Sequence, residues 1–562
     1  MLQKYLVLTD ISLLRDLVAD GYLNELGGHR LSGSGHLALS QLLRDKNVDG
    51  IVSPYKYGPN FRHPTGPLVG MGTFDCGVVH GKLWISEDDS RTSLAKPSGF
   101  TSCTTLSCNV NLMRRNLVTT ALHGAGCGST TTNFSSPYRR HPDLRPHERV
   151  RRIYQFDLIV AGWFGRPGNA TTTSAIWQAI ASGRKAAEAM FKASEALPQP
   201  VADPQAHNQA AKPTLNPEVA VFTDDVSMGY TRANGVGTLD ATIHPAEWLN
   251  DVAWQVPQIG APVRNLHLRD LLLPAAVIDP VLKDIKLAVF PNAFILTDEL
   301  KAAIAKLRSS NRTLLFYYAP SALSVSTGLM SATGSEVADF IGCPIVRGTG
   351  SHSFVGEFVA SSLSSSSGGC PDFASLAGQR YQPTLSGNPG PSSGPSSVLD
   401  PYYSMDEKSD DSSASGCMVL SRYSSKGSAT VAAAPAAAVC SAHPDHTVLL
   451  SAMPFPPEAL RRVALASGIH LYVNTTVETR TPAGSPTTTC TGDGVEATGQ
   501  GLLVRAGHLA LKTQPLAVGL PPSVRGWSVT DEAGKVVCRH CHGFSSALDA
   551  GQVAAFIVLP EP

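Results

Sequence analysis

The run His80 to Thr92, HGKLWISEDDSRT, sets three carboxylates, Glu87, Asp88 and Asp89, directly behind a short apolar stretch, Lys82 to Ile85, with Arg91 close by. It reads as a β-strand ending in acid groups. A carboxylate at the C-terminal end of a strand, beside a tryptophan such as Trp84, is where a (β/α)8 barrel puts its catalytic groups. A carboxylate nucleophile suits glycoside chemistry, and aromatic faces suit sugar rings. The competing reading is a strand followed by an acidic surface turn, which the local pattern alone leaves open.

The neighbouring elements favour the first reading. Gly21 to Leu26 is strand-like, and Leu37 to Leu43 has the one-sided apolar pattern of a helix. Val48 to Tyr55 is a buried strand closed by a proline turn, and a Gly/Pro-rich loop, Gly58 to Gly72, leads to the Glu87 strand. Strand, helix, strand, loop, strand is a βαβ series, so the strands are expected to be parallel. The long loops follow strand C-termini, the side on which barrel enzymes build their sites.

Several segments resemble glycoside hydrolase family 42 β-galactosidases and their relatives: Gly35 to Leu39, Asp49 to Tyr57 (DGIVSPYKY), His80 to Thr92, and Met113 to Leu117. A second block, Val219 to Pro320, resembles that family's middle domain, an α/β fold similar to glutamine amidotransferases; its markers are Val219 to Asp225, Ile259 to Pro262 and Leu287 to Phe294. The resemblance implies a retaining β-galactosidase with Glu87 as nucleophile. Asp88, Asp89 and Arg91 would hold and tune it, since a nearby arginine keeps a carboxylate ionised. Trp84, Tyr55 and Tyr57 would wall the sugar site, although ordinary barrel packing explains these aromatics equally well. The family's acid/base glutamate follows an asparagine on the fourth barrel strand. This chain reads as starting around the fifth, and Asn24-Glu25 is the one matching dipeptide, two strands before Glu87 where three are expected. Glu25 is therefore a weak candidate acid/base. The chain alone is expected to hydrolyse galactosides poorly.

The expected architecture is multidomain α/β. Residues 1–195 read as the C-terminal part of a TIM barrel, with 128–155 as an insert rich in Ser, Thr, Pro and Arg that breaks a strand, a pattern a gene-model error would produce. Residues 196–216 read as a linker, 217–475 as the amidotransferase-like trimerisation domain, and 476–562 as a small β-sandwich. Within the middle domain, Thr297 to Arg308 reads as a helix with an acidic first turn, Leu460 to Ser467 as a helix and Gly468 to Tyr472 as a strand. The serine-rich stretch 361–416 cannot bury enough apolar surface to fold alone and is expected to loop out.

Charge and composition narrow the partners. The chain of 562 residues carries 45 Lys and Arg against 45 Asp and Glu. Balanced charge gives no support for nucleic acid or an anionic membrane as partner. No apolar run is long enough to span a bilayer, and Met1 to Asp10 lacks signal-peptide features, leaving the compartment open. Eleven cysteines are scattered, and Cys538 and Cys541 are the single close pair, which is weak grounds for zinc. No metal or cofactor is expected. The family 42 resemblance implies a carbohydrate substrate, a β-galactoside, and further copies of the chain in a homotrimer.

Two other readings remain. A non-catalytic carbohydrate-binding or oligomerisation protein would keep the middle and last domains and lose the chemistry. An amidotransferase would need a cysteine at the elbow after Thr313 to Tyr318, where the sequence has Ala319-Pro320-Ser321; Cys343 has no elbow context.

Overall fold

The computed structural model describes residues 8–10, 39–45, 50–54, 63–64, 74–80, 83–88, 92, 103–122, 152–155, 175–183, 185, 217–228, 252–308, 311–327, 331, 333–348, 352–353, 355–359, 370–381, 398–399, 402–406, 417–423, 436–443, 446–472, 476–480, 486–490, 502–507, 514–520, 527–531, 535–548 and 553–560.

The first part of the chain carries a four-stranded sheet in the order β1 (Leu8–Asp10), β2 (Gly50–Pro54), β3 (Leu83–Asp88), β4 (Arg152–Gln155). Every pairing in it is parallel, as the βαβ reading predicts. Helix α1 (Leu39–Arg44) precedes β2, and α2 (Phe74–Val79) precedes β3. The longer α3 (Leu106–Leu122) packs Leu112 and Met113 against Ile176 and Ala179. Two details depart from expectation. The strand beside β2 is Leu8–Asp10, whereas Gly21 to Leu26 lies outside the described residues. Arg152–Gln155, at the end of the stretch read as an insert, pairs with β3.

The middle of the chain is built on nine strands. Those nearest its start are β5 (Val219–Thr223), β6 (Val263–His267), β7 (Leu287–Phe290) and β8 (Arg312–Tyr317). Later come β9 (Gly356–Phe358), β10 (Arg380–Tyr381), β11 (Cys417–Tyr423), β12 (Ala438–Ala442) and β13 (His446–Ser451). Their spatial order is β10-β9-β11-β12-β13-β8-β7-β5-β6. From β13 to β6 all pairings are parallel, and from β10 to β13 all are antiparallel. Taken in chain order, the five parallel strands lie 2-1-3-4-5, the arrangement of doubly wound flavodoxin-type sheets.

The sequence explains the buried position of these strands. β5 and β7 are apolar at nearly every residue rather than alternating, and every residue of both is buried, as strands covered on both faces must be. Phe290 stacks between Phe222 and Phe316, with ring centroids 5.1 and 4.5 Å away. Helix α4 (Asp225–Met228) follows β5 directly, and α5 (Ala275–Leu282) lies between β6 and β7. Helix α6 (Asp298–Arg308) forms where predicted. Thr297 Oγ1 accepts the Leu300 amide, Asp298 and Glu299 sit in the first turn, Lys306 and Arg308 in the last, and Leu300, Ile304 and Leu307 are buried on one face. Helix α7 (Pro457–Ala466) starts with proline at its first position.

Two expectations for this part need correction. The serine-rich stretch 361–416 does not simply loop out. Phe373, Leu376, Tyr381, Tyr403 and Met405 are all buried in the main core, and Cys370 is bridged to Cys440 of β12. Its few apolar residues add to a core that already exists, so they need not form one alone. Gly468 to Tyr472 is not a strand. It is an irregular connector whose backbone groups bond to side chain and loop: His470 N donates to Glu218 Oε2, and Tyr472 N to the Gly260 carbonyl.

After residue 476 the described strands are all antiparallel. Leu502–Gly507, Val553–Pro560, Trp527–Asp531 and Val536–Cys541 form one sheet, and Gln514–Gly519 pairs with Gly543–Leu548. Both contribute to one small core around the fully buried Trp527, with Val518, Phe544 and Phe556. Cys538 and Cys541 form a disulfide within Val536–Cys541 and its end, rather than half of a zinc site. Among the described residues no helix is long and apolar enough to cross a membrane.

The stacked phenylalanines give a direct check on the parallel core. Phe290→Ala should lower the unfolding free energy of the middle sheet by about 3–5 kcal/mol, measured by urea denaturation of the whole protein.

Candidate functional site

Glu87 and Asp88 end β3, the strand flanked by β2 and β4. Glu87 is in register with Pro54 on one side and Tyr154 on the other; Asp88 is level with Gln155, and Trp84 with Ile51. Because all four strands are parallel, their C-terminal ends lie along one edge, and β1 brings Asp10 to the same edge, level with Val52. Strand positions are described for Trp84, Glu87 and Asp88. Glu25, Tyr55, Tyr57, Asp89 and Arg91 lie outside the described residues. Arg115, from the Met113 to Leu117 motif, is buried in α3, donates to the His63 carbonyl and grips Asn116 Oδ1 through Nε (3.1 Å) and Nη2 (2.8 Å). It thereby anchors the loop after β2.

A second concentration of ionisable groups, not anticipated as a site, lies at the C-terminal ends of β5, β6 and β7. β5 runs into Asp224 and Asp225, β6 ends in His267, and Asn292 follows β7. Asp224 is the N-cap of α4: its Oδ2 accepts from Ser227 N at 2.9 Å and Ser227 Oγ at 2.6 Å. Asn292 joins β7 to β5, accepting from Asp224 N at 2.9 Å and donating to the Asp224 carbonyl at 2.8 Å. His267 Nε2 lies 3.0 Å from Asp225 Oδ1. Arg269 Nε lies 3.5 Å from Asp224 Oδ1 and 3.9 Å from Asp225 Oδ1.

Helices α1 and α2 close over this corner. Ser40 of α1 donates to Asp225 Oδ2 through its amide (3.4 Å) and hydroxyl (3.2 Å), and Arg44 Nη2 donates to the Arg269 carbonyl at 2.8 Å. From α2, the Cys76 thiol donates to Asp270 Oδ2 at 2.9 Å, and His80 Nε2 lies 2.7 Å from Asp270 Oδ1. Asp75 Oδ2 accepts the Asn265 amide at 2.7 Å, and Cys76 Sγ accepts the His267 amide at 2.9 Å. Asp224, Asp225, His267 and Asp270 are at most 2 % exposed.

The environment separates the two adjacent carboxyls. Burial, reinforced by the charge of Asp225, pushes the Asp224 pKa up despite the nearby His267 and Arg269. Asp225 is held below the usual carboxylate value because His267 and the Ser40 amide more than offset its burial. Asp270 is also held low; burial opposes this, but the His80 hydrogen bond, the His267 charge and the Cys76 thiol outweigh it.

Asp224, Asp225 and His267 offer three donor atoms within 4.8 Å of one another, enough in number to hold a metal ion. Their arrangement does not fit one. His267 Nδ1 accepts the Arg269 amide at 3.2 Å, which leaves the ring proton on Nε2, 3.0 Å from Asp225 Oδ1, so a cation would have to displace a backbone donor from one nitrogen or the proton from the other. The Arg269 guanidinium already supplies positive charge to both carboxylates. Asp224 Oδ1 and Asp225 Oδ1 accept no hydrogen bond among the described residues, so their charge is offset by Arg269 and His267 alone.

The elbow after β8 carries no amidotransferase chemistry. Two of its residues are left-handed, Ser321 (φ 61°) and Tyr318 (φ 63°), and the Tyr318 ring packs edge-on to Phe294 and Tyr403. Cys343 is bridged to Cys417.

No protein-family model and no curated protein matches the chain. Among solved structures it is similar to a catalytic mutant of a GH42 β-galactosidase from G. stearothermophilus, at 10% identity over 92% of this chain and 60% of that one, with a TM-score of 0.47. A β-galactosidase from Bacillus circulans sp. alkalophilus matches at 8% identity over 90% and 63%, TM-score 0.45. One from the Antarctic haloarchaeon Halorubrum lacusprofundi matches at 10% identity over 92% and 61%, TM-score 0.44. The chain is similar to GH42 β-galactosidases. It spans 60–63% of the length of these three structures.

Asp270 gives this corner a pH signature. A carboxyl whose folded pKa is depressed adds stability that is complete above its unfolded value, about 4, and is lost as the pH falls through the folded one. Asp270→Asn should therefore lower stability by about 1–3 kcal/mol at pH 7. Urea titrations from pH 8 downward should show that deficit constant to about pH 5 and shrinking below about pH 4.

Proposed function

We propose that this protein is a retaining glycoside hydrolase acting on terminal β-galactosides, with Glu87 as the nucleophile. The observation that carries the proposal is the position of Glu87 at the C-terminal end of β3 in a wholly parallel sheet, within the motif HGKLWISEDDSRT. In this reading the parallel sheet is part of a TIM barrel, the nine-stranded unit is the amidotransferase-like domain, and the antiparallel strands after residue 476 are a β-sandwich.

The Glu87 carboxylate attacks the anomeric carbon as the glycosidic C–O bond breaks. The leaving oxygen takes a proton from a second carboxylic acid, for which Glu25 is the sequence candidate. Water activated by that same group then releases the sugar. Retention requires the two carboxyl groups about 5–5.5 Å apart. Trp84, Tyr55 and Tyr57 stack on the sugar, Arg91 keeps Glu87 ionised, and Asp88 and Asp89 help hold it.

A 2-fluoro galactoside with a dinitrophenolate leaving group tests the nucleophile without needing the acid, because so good a leaving group departs unprotonated. Mass spectrometry should find a covalent sugar on Glu87 and none in Glu87→Gln. Failure of the native protein to form that adduct overturns the assignment, and sugar binding without an adduct points to a non-catalytic carbohydrate-binding protein.

The nine-stranded unit is also proposed to hold the protein as a homotrimer. The exposed Leu272 and Val277, beside and on α5, support an apolar contact face there. Light scattering of the whole protein should return three times the chain mass of 59.2 kDa; a monomer at micromolar concentration removes the trimer.

A further inference from the structure

We infer that the corner where a doubly wound sheet ordinarily receives a ligand serves here as a socket for the protein's own helices α1 and α2, and that Asp225 and Asp270 are positioning residues for strands β2 and β3. The catalytic consequence rests on the reading of Glu87 as nucleophile; the socket itself does not.

In sheets of order 2-1-3-4-5 the ligand crevice opens at the C-terminal ends of the strands, where successive connections leave in opposite directions. That point lies between β5 and β7. The polar groups gathered there and on the adjoining β6 are the ones a ligand site would use: Asp224, Asp225, Asn292 and His267. Most of their hydrogen-bonding valences are directed into the chain itself; among the described residues Asp224 Oδ1 and Asp225 Oδ1 receive no hydrogen bond and are faced by the Arg269 guanidinium and, for Asp225, the His267 ring. Asn292 and Ser227 take up Asp224, Ser40 of α1 reaches Asp225, and Cys76 and His80 of the α2 region reach Asp270.

Two features turn this socket into a positioning device. Each gripped helix leads directly into a strand of the parallel sheet. Arg44 ends α1 and β2 begins at Gly50; His80 follows α2 and β3 begins at Leu83. In addition, α2 packs against both β3 and β6, so a shift of α2 on β6 is passed to the strand that carries Glu87. The grip is strong because Asp225 and Asp270 are buried and would each lose donors if the helices left. Among the described residues Asp225 would keep only His267 and Arg269, and Asp270 only the His267 amide and charge, and under-compensated buried charge is unfavourable.

Hydrogen–deuterium exchange on the whole protein tests this without relying on activity. In Asp270→Asn and His80→Ala, residues 83–88 should exchange at least about tenfold faster. In His80→Gln, where an amide donor replaces Nε2, they should stay near the native rate, and residues 312–317 should keep their protection in all three. Ser40→Ala, which deletes the α1 hydroxyl bond, should speed exchange of 50–54. In the same variants, covalent labelling of Glu87 should slow in its chemical step with little change in the reagent's binding constant. Unaltered exchange at both 83–88 and 50–54, with loosening confined to 263–270, overturns the inference. If a substitution unfolds the middle sheet, seen as lost protection at 312–317, Ser40→Ala, which removes one bond, decides. A native protein that takes no label while exchange shifts as stated disproves the nucleophile and leaves the socket standing.

Discussion

A carboxylate taken out of water must find donors, and in this chain two of them find theirs across a boundary. Asp225 and Asp270 belong to the nine-stranded unit, yet the side chains that complete them, Ser40, Cys76 and His80, come from helices that precede β2 and β3. An unpaired buried charge is so unfavourable that the two parts of the molecule cannot be treated as separate bodies. The geometry of the small parallel sheet depends on it, because α1 and α2 are fixed at one end by these bonds and feed strands at the other.

The nine-stranded unit shows how little of a fold's usual chemistry follows from its topology. Its strand order, its acidic β5 end and its left-handed elbow after β8 are features that other sheets of this kind put to use on ligands or as nucleophile supports. Here the elbow holds a packed tyrosine, Tyr318, and the acidic end is filled by helix. The backbone arrangement survives because it is dictated by apolar parallel strands such as β5 and β7, whatever the polar residues at their ends are engaged in.

What could be read from the sequence divides along the same line. Local periodicity found α6 with its cap and charged turns, and unbroken apolar runs found β5 and β7, since both patterns are set by near neighbours in the chain. The strand end at Glu87 and Asp88 was legible for that reason too. The polar corner was not, because its members lie far apart: Ser40 meets Asp225, and Cys76 meets Asp270. One local signal was present, an aspartate three residues before Ser227, which marks the N-cap of α4. The serine-rich stretch 361–416 misled because composition describes what a segment can bury by itself. Phe373 and Tyr381 are buried in a core supplied by other strands. His470 and Tyr472 misled in the opposite sense: they have strand-like character, but among the described residues their backbone contact with a strand is a single bond, from the Gly519 amide to the Tyr472 carbonyl, and their own amides bond to Glu218 and Gly260.

The bonds from α2 to β6 have a further consequence. β6 is the last strand on its side of the sheet, so one row of its amides and carbonyls faces outward. Such an edge invites pairing with any extended chain that meets it. Asp75 accepts the Asn265 amide, and Cys76 accepts the His267 amide. Side chains of a helix thus stand in for the missing neighbour strand. Cut away from the first part of the chain, the middle unit would present that edge bare, with adhesive backbone next to a cluster of stranded charges. The cover for that edge therefore comes from residues that lie almost two hundred positions earlier in the sequence.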